Sequence, residues 1–172
     1  DLYDELVVSE IENKQCIVEC DAFELPKKNT LTLSYEAFCS VSDVDVPGVK
    51  VNLKKGIPSG GGLGGGSADA AALVRVLQKM CGIKLSDEKL DLIASKTGSD
   101  VFFFQHCDDE GKGCALVSGR GEVVKRIVPR TDLFLLLIFP KLSSSTKEAY
   151  NLVDEYLMRE DKVRGPSISE LE

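Results

Sequence analysis

Gly48–Met80, "GVKVNLKKGIPSGGGLGGGSADAAALVRVLQKM", reads as a strand, a glycine loop and a helix in that order. Val49, Val51 and Leu53 alternate with polar residues, the period of a half-buried strand. Pro58 has no amide to donate and stops the ladder. Gly60, Gly61, Gly62, Gly64, Gly65 and Gly66 then crowd around Leu63, although glycine loses more chain entropy on ordering than any other residue. After them Ser67 stands where a helix cap is expected. Ala70, Leu73, Val74, Leu77 and Cys81 recur at helical spacing, and Gly82 takes the place of a C-terminal glycine. A strand that feeds a glycine turn and then a helix makes an anion site, because the first helical amides lack internal partners and the helix dipole adds about half a positive charge there.

Upstream, "DELVVSEI" and "CIVECD" flank "ENKQ" and predict a β-hairpin. "NTLTLSYEAFCSV" fits either period; the apolar spacing of Leu31, Tyr35 and Phe38 behind a capping Asn29 favours a helix. Downstream, a helix is predicted from Ser86, with Asp87 and Glu88 in its first turn and Leu90, Ile93 and Ala94 buried. "GSDVFFFQ" leads into the acidic turn "HCDDEGKG", and "CALVSGRGEVVKRIV" predicts two short strands around Gly119 and Gly121. "DLFLLLIFP" reads as a central strand stopped by Pro140. "SSSTKEAYNLVDEYL" reads as a helix with a Ser145/Glu148 capping box and an apolar face of Ala149, Leu152, Val153 and Tyr156. Strands and helices without strict alternation imply an α+β fold, with helices packed on a mixed, mostly antiparallel sheet.

The chain has 172 residues and a net charge of -7, enough for a sizeable core and a poor balance for holding nucleic acid through its phosphates. Its longest apolar run, Leu133–Phe139, is far short of the roughly 20 residues of a membrane span. Neither a nucleic-acid nor a membrane partner is expected. Six scattered cysteines imply reduced thiols rather than staples. His106, Cys107 and Cys114 are too few for a four-ligand zinc site and read as loop residues; no metal-ligating residue is assigned.

Three kinds of phosphate loop compete at the glycines. A Walker A loop needs Gly-Lys-Ser/Thr, but Gly66 is followed by Ser67 and Ala68. A dinucleotide fingerprint can be traced through Gly60, Gly62 and Gly65 with Asp87 downstream, but Pro58 separates it from the strand. The third is a family pattern. "PSGGGLGGGSADAA" closely resembles the second motif of the GHMP kinases, and among them the 4-diphosphocytidyl-2-C-methyl-D-erythritol kinases. "GSDVFFF" (Gly98–Phe104), "SGRGE" (Ser118–Glu122), "PKLSSSTKEAY" (Pro140–Tyr150) and the leading "DLYDELVV" resemble further segments of that family in order and spacing.

The resemblance implies a GHMP-kinase N-terminal domain, a fold shared with a ribosomal-protein domain, over residues 1–140, and the beginning of a C-terminal domain over 141–172. It implies transfer of the ATP γ-phosphoryl group to the 2-hydroxyl of a cytidine-diphosphate methylerythritol in non-mevalonate isoprenoid synthesis, with Mg2+. On this reading ATP is held by Lys55, Pro58, Ser59, Gly60, Gly61, Gly62, Leu63, Gly64, Gly65, Gly66, Ser67 and Ala68. Asp100, expected to be partly desolvated, is the catalytic base, and Thr146 faces the substrate. Asp69 suits a helix-dipole or magnesium-shell role. Phe102 stands where the family has proline. The family's first motif would precede Asp1 and its third would follow Glu172, so this stretch alone is expected to be inactive. A nucleotide-binding homologue without catalysis is the alternative. The implied compartment is a plastid-type organelle or a bacterial cytoplasm.

Overall fold

A computed structural model describes residues 2–107, 113–130, 132–139 and 146–158. In chain order these form β1 (Glu5–Ile11), β2 (Cys16–Cys20), α1 (Thr30–Val41), β3 (Gly48–Lys54), α2 (Gly65–Met80), α3 (Asp87–Thr97), α4 (Ser99–Gln105), β4 (Ala115–Ser118), β5 (Val123–Arg126) and α5 (Thr146–Leu157). The chain divides into two compact units, Asp1–Leu136 and Leu137–Glu172.

β3 takes the middle of a three-stranded sheet. β1 runs antiparallel beside it, with Val8 opposite Val51, and β2 runs parallel on its other side, with Val18 opposite the same residue. The expected β1–β2 hairpin is therefore corrected: the two strands are separate edges. β3 is the most apolar of the three, with Val49 and Val51 fully buried, whereas β1 and β2 alternate between exposed and half-buried positions. A central place for β3 buries the most apolar surface. The "ENKQ" segment docks on the start of β3 instead of closing a tight turn. The Val49 amide donates to the Gln15 carbonyl at 2.8 Å. A Cβ on Gly48 would stand 1.8 Å from the Asn13 carbonyl oxygen, so only glycine fits there.

α1 forms as its spacing predicts. Asn29 Oδ1 accepts from the Leu31 and Thr32 amides at 3.0 and 3.1 Å, and Thr32 Oγ1 accepts from the Asn29 amide at 3.0 Å. This reciprocal cap satisfies amides that no helical turn can reach. Leu31, Tyr35 and Phe38 of α1, Leu73, Val74 and Leu77 of α2 and Ile93 of α3 form one core with Val49, Val51 and Leu53. α3 starts after Ser86 and buries Ile93 and Ala94, as predicted, while Leu90 is only partly buried. The fold is α+β, with helices packed on a small mixed sheet.

"SDVFFFQ" is a helix, α4, where the sequence pattern predicts none. Three consecutive phenylalanines carry no period, but Val101, Phe102 and Gln105 fall on one helical face and are buried. Val101 and Phe102 join Ala70 and Ala94 in a second cluster, against which Val124 packs. β4 and β5 form the predicted antiparallel pair, with Ala115 opposite Arg126.

Leu133–Phe139 is not the expected central strand; its side chains are exposed. A strand is defined by its ladder. The segment belongs to neither of the two described sheets, β1-β3-β2 and β4-β5. α5 lies in the second unit and matches the predicted helix, but Leu152, Val153 and Tyr156 on its apolar face are exposed. Ser145, its expected cap, lies outside the described residues, as does Pro140.

Candidate functional site: the glycine loop and its base

The glycine loop borders an open cleft of about 280 Å³, lined by Pro58 through Ser67, Lys55 and Asp69, with Phe23, Leu25, Asn29 and Thr30 on its other wall. This volume is near the lower limit for small-molecule sites, roughly 300 Å³, and suits phosphate groups lying against the backbone. Ala68, expected among the nucleotide contacts, does not line it. Neither does Asp100.

The cap of α2 differs from the expected one. Gly64, not Ser67, is the N-cap, in the left-handed conformation at φ 67° and without a side-chain hydrogen bond. The Ser67 and Ala68 amides donate to the Gly64 carbonyl at 3.0 and 2.9 Å, which places Ser67 inside the first turn. A left-handed residue at this point begins the helix three residues early, and the Gly65 and Gly66 amides are left without an acceptor among the described residues. A Cβ at Gly64 would lie 2.9 Å from the Phe104 ring. The loop therefore rests directly on α4.

α4 also meets the turn between β4 and β5. A Cβ on Gly121 would stand 2.3 Å from the Ser99 carbonyl oxygen. The Arg75 guanidinium donates to the Phe104 carbonyl at 2.6 Å and ties the far end of α4 to α2. Three segments far apart in the chain, the glycine loop, "GSDVFFF" and "SGRGE", are thus brought into contact.

Asp100 lies in the first turn of α4 and is exposed, contrary to the expected partial desolvation. Positions 101, 102 and 105 define the buried face of the helix, and position 100 points away from it. His106 caps the other end, with Nε2 2.8 Å from Asp91 Oδ1. Thr146 opens α5, and its side chain lies outside the described residues.

Lys55 crosses the base of the loop between two carboxylates. Its ammonium binds Asp4 Oδ2 and lies 3.3 Å from Asp69 Oδ2. The three side chains are 9, 2 and 5% exposed for Lys55, Asp4 and Asp69. Asp4 Oδ1 also accepts from the Gly56 and Ile57 amides, both at 2.8 Å. Burial alone would raise the Asp4 carboxyl, but Lys55 and the two amides outweigh it and hold its pKa below the ordinary value. For Asp69 burial wins over the attraction of Lys55, and its pKa is pushed up to about 6. Burial would lower the Lys55 pKa, but its two carboxylates raise it. Asp69 lies beyond the first turn of α2, away from its dipole end, as a buried partner of Lys55, and Asp4 is a member of the site that the sequence pattern does not single out. The available signal is an aspartate one step before a strand whose partner ends at Lys54 and is followed at once by Lys55.

A family model described as GHMP kinases N terminal domain matches residues 28–108, from the start of α1 past the end of α4. Over residues 28–108 the chain is that of a GHMP kinase N-terminal domain. Its relatives include a 4-diphosphocytidyl-2-C-methyl-D-erythritol kinase of Treponema pallidum, 43% identical over 140 residues, an alignment covering 81% of this chain and 46% of that protein. Among solved structures, a crystal structure of 4-(cytidine 5'-diphospho)-2C-methyl-D-erythritol kinase aligns with a TM-score of 0.52 at 30% identity, over 72% of this chain and 41% of that one. Homoserine kinase from Cytophaga hutchinsonii aligns with a TM-score of 0.59 at 20% identity, over 96% and 53% of the two chains, a likeness of fold. The chain spans about half the length of the curated relatives it matches. The GHMP kinase match includes the loop, α2 and α4, the same elements that the packing unites.

The loop suits ATP phosphates, because its helix start is uncapped and its glycines admit an anion close to the backbone. Among the described residues no group of three or more histidine, cysteine or carboxylate side chains could hold a metal ion.

Proposed function

We propose that the protein uses ATP to phosphorylate the 2-hydroxyl of 4-diphosphocytidyl-2-C-methyl-D-erythritol, a step of non-mevalonate isoprenoid precursor synthesis. The observation that carries this reading is the uncapped start of α2 behind a left-handed Gly64, within a domain whose relatives are named for that reaction. On this reading residues 1–140 are the ATP-binding domain and 141–172 begin a second one. The relatives' bacterial origin is the ground for a bacterial cytoplasm over a plastid. Among the described residues no helix is long and apolar enough to cross a membrane.

The unpaired amides of the loop, those of Gly65 and Gly66 among them, receive the β- and γ-phosphates and fix them for in-line attack, a positioning and electrostatic task. Mg2+ carried with the nucleotide supplies charge neutralisation on the phosphate oxygens. Asp100 accepts the proton of the attacking hydroxyl, and Thr146 orients the substrate. The exposure of Asp100 also suits nucleotide binding without transfer, the second reading. One experiment separates the two: the full-length protein is given γ-labelled ATP and the cytidyl alcohol, and label on the alcohol is followed. Transfer is expected in the wild type and, in Asp100→Asn, a fall of about 100- to 10,000-fold at unchanged ATP affinity. Bound ATP with no labelled alcohol leaves the second reading.

A further inference from the structure

The glycine loop leaves β3 after Lys54 and enters α2 at Gly65, and one carboxylate lies between the two stems. Asp4 Oδ1 holds the Gly56 and Ile57 amides on the outgoing stem. On the returning stem a Cβ added to Gly65 would stand 3.3 Å from Asp4 Oδ2, so the carboxylate and this stem approach each other across the space a side chain would fill. Lys55, bound to that same oxygen, reaches Asp69 one turn into α2. The backbone is fitted to this clamp, since a Cβ on Gly56 would stand 2.1 Å from the Tyr3 carbonyl oxygen. We propose that Asp4 is a positioning residue for the nucleotide: it fixes the distance between the two stems of the loop and so aims the loop amides at the phosphates. This rests on the kinase reading and assigns a role to a residue outside the glycine motif, contributed by the segment that leads into β1.

Asparagine cannot replace Asp4 here. A carboxylate accepts at both oxygens, whereas a carboxamide has one acceptor and one donor group. Whichever way the carboxamide of Asp4→Asn turned, its NH2 would face either the Lys55 ammonium or the two stem amides. The variant is nearly isosteric, and it leaves Lys55 and Asp69 as a neutral pair, so the sheet and core are expected to stay folded.

The test uses the full-length protein and Asp4→Asn, with ATP as the probe. Charge-assisted hydrogen bonds of this kind correspond to about a tenfold change or more in an equilibrium constant. The expected result is a rise of about tenfold in the dissociation constant for ATP, with the KM of the alcohol substrate unchanged. Amide hydrogen exchange is expected to quicken across 56–66 and to stay constant in the central residues of β1 and β3. A folded Asp4→Asn that binds ATP like the wild type, or one whose exchange quickens uniformly, overturns the proposal. If Asp4→Asn does not fold, Asp4→Ser, which keeps one acceptor and removes the misplaced NH2, is held to the same two criteria. Should the wild type bind no ATP, the kinase reading falls, while the exchange pattern still decides whether Asp4 sets the loop.

Discussion

α1 and α2 lie against the same sheet and share one core, yet they begin in opposite ways. The Asn29 side chain accepts from the first amides of α1, those of Leu31 and Thr32, and the Asn29 amide donates to the Thr32 hydroxyl in return. Gly64 offers α2 no side chain at all, and the amides behind it face a cleft. Both starts are equally polar by geometry, because every helix leaves its first amides unpaired. The difference is who satisfies them. A residue of the chain does so at α1, whereas at α2 no described residue accepts from the Gly65 and Gly66 amides, the ones proposed to receive an anion with Asp4 and Lys55 at the base of their loop.

Exchanging the residue at the start of each helix tests this contrast most directly. Gly64→Ala puts a Cβ into the left-handed region and against the Phe104 ring. A left-handed non-glycine residue alone costs about 1–2 kcal/mol, so ATP affinity measured by titration is expected to fall by about tenfold or more. Wild-type affinity would mean that the loop does not bind phosphate in this conformation. Asn29→Ala is the converse change. It is expected to lower stability by about 1 kcal/mol in denaturant unfolding; an unchanged unfolding midpoint would mean that the Asn29 cap does not hold the start of α1.

A smaller effect is expected from pH at the base of the loop. Asp69 has a folded pKa of about 6 against an ordinary 3.8. The folded protein therefore holds a proton in that interval that the unfolded chain releases. The stability this supplies is present at low pH and lost as pH rises through about 6. Asp4 has the opposite sign: its contribution is present above the ordinary carboxylate value and lost as pH falls through its lower folded value. Melting curves at about pH 5 and about pH 7 should show a gain on acidification in the wild type that Asp69→Asn removes. An equal gain in both proteins would place the titrating group elsewhere.

Much of the domain is legible in the chain. The alternation of Val49, Val51 and Leu53, the Asn29 cap and the helical spacing from Ala70 to Leu77 are local patterns, and burial or hydrogen bonds bear each of them out. The Ser67 cap is misplaced by three residues, because a side-chain cap is the usual expectation and here a left-handed glycine starts the helix. α4 escapes the pattern since "VFFFQ" shows its buried face only after α2, α3 and β5 are packed around it. Leu133–Phe139 misleads for a related reason, as its apolarity marks a need for partners without supplying them.

The order of strand, glycine loop and helix, with amides left over for an anion, is written in the chain alone, because period, caps and glycine conformations act within a few residues. Three-dimensional packing had to settle the rest: that β3 lies between β1 and β2, that Phe104 props Gly64, and that Asp4 reaches Lys55 from 51 positions away. Such contacts depend on which surfaces bury each other once the chain has closed, and no local pattern encodes that choice.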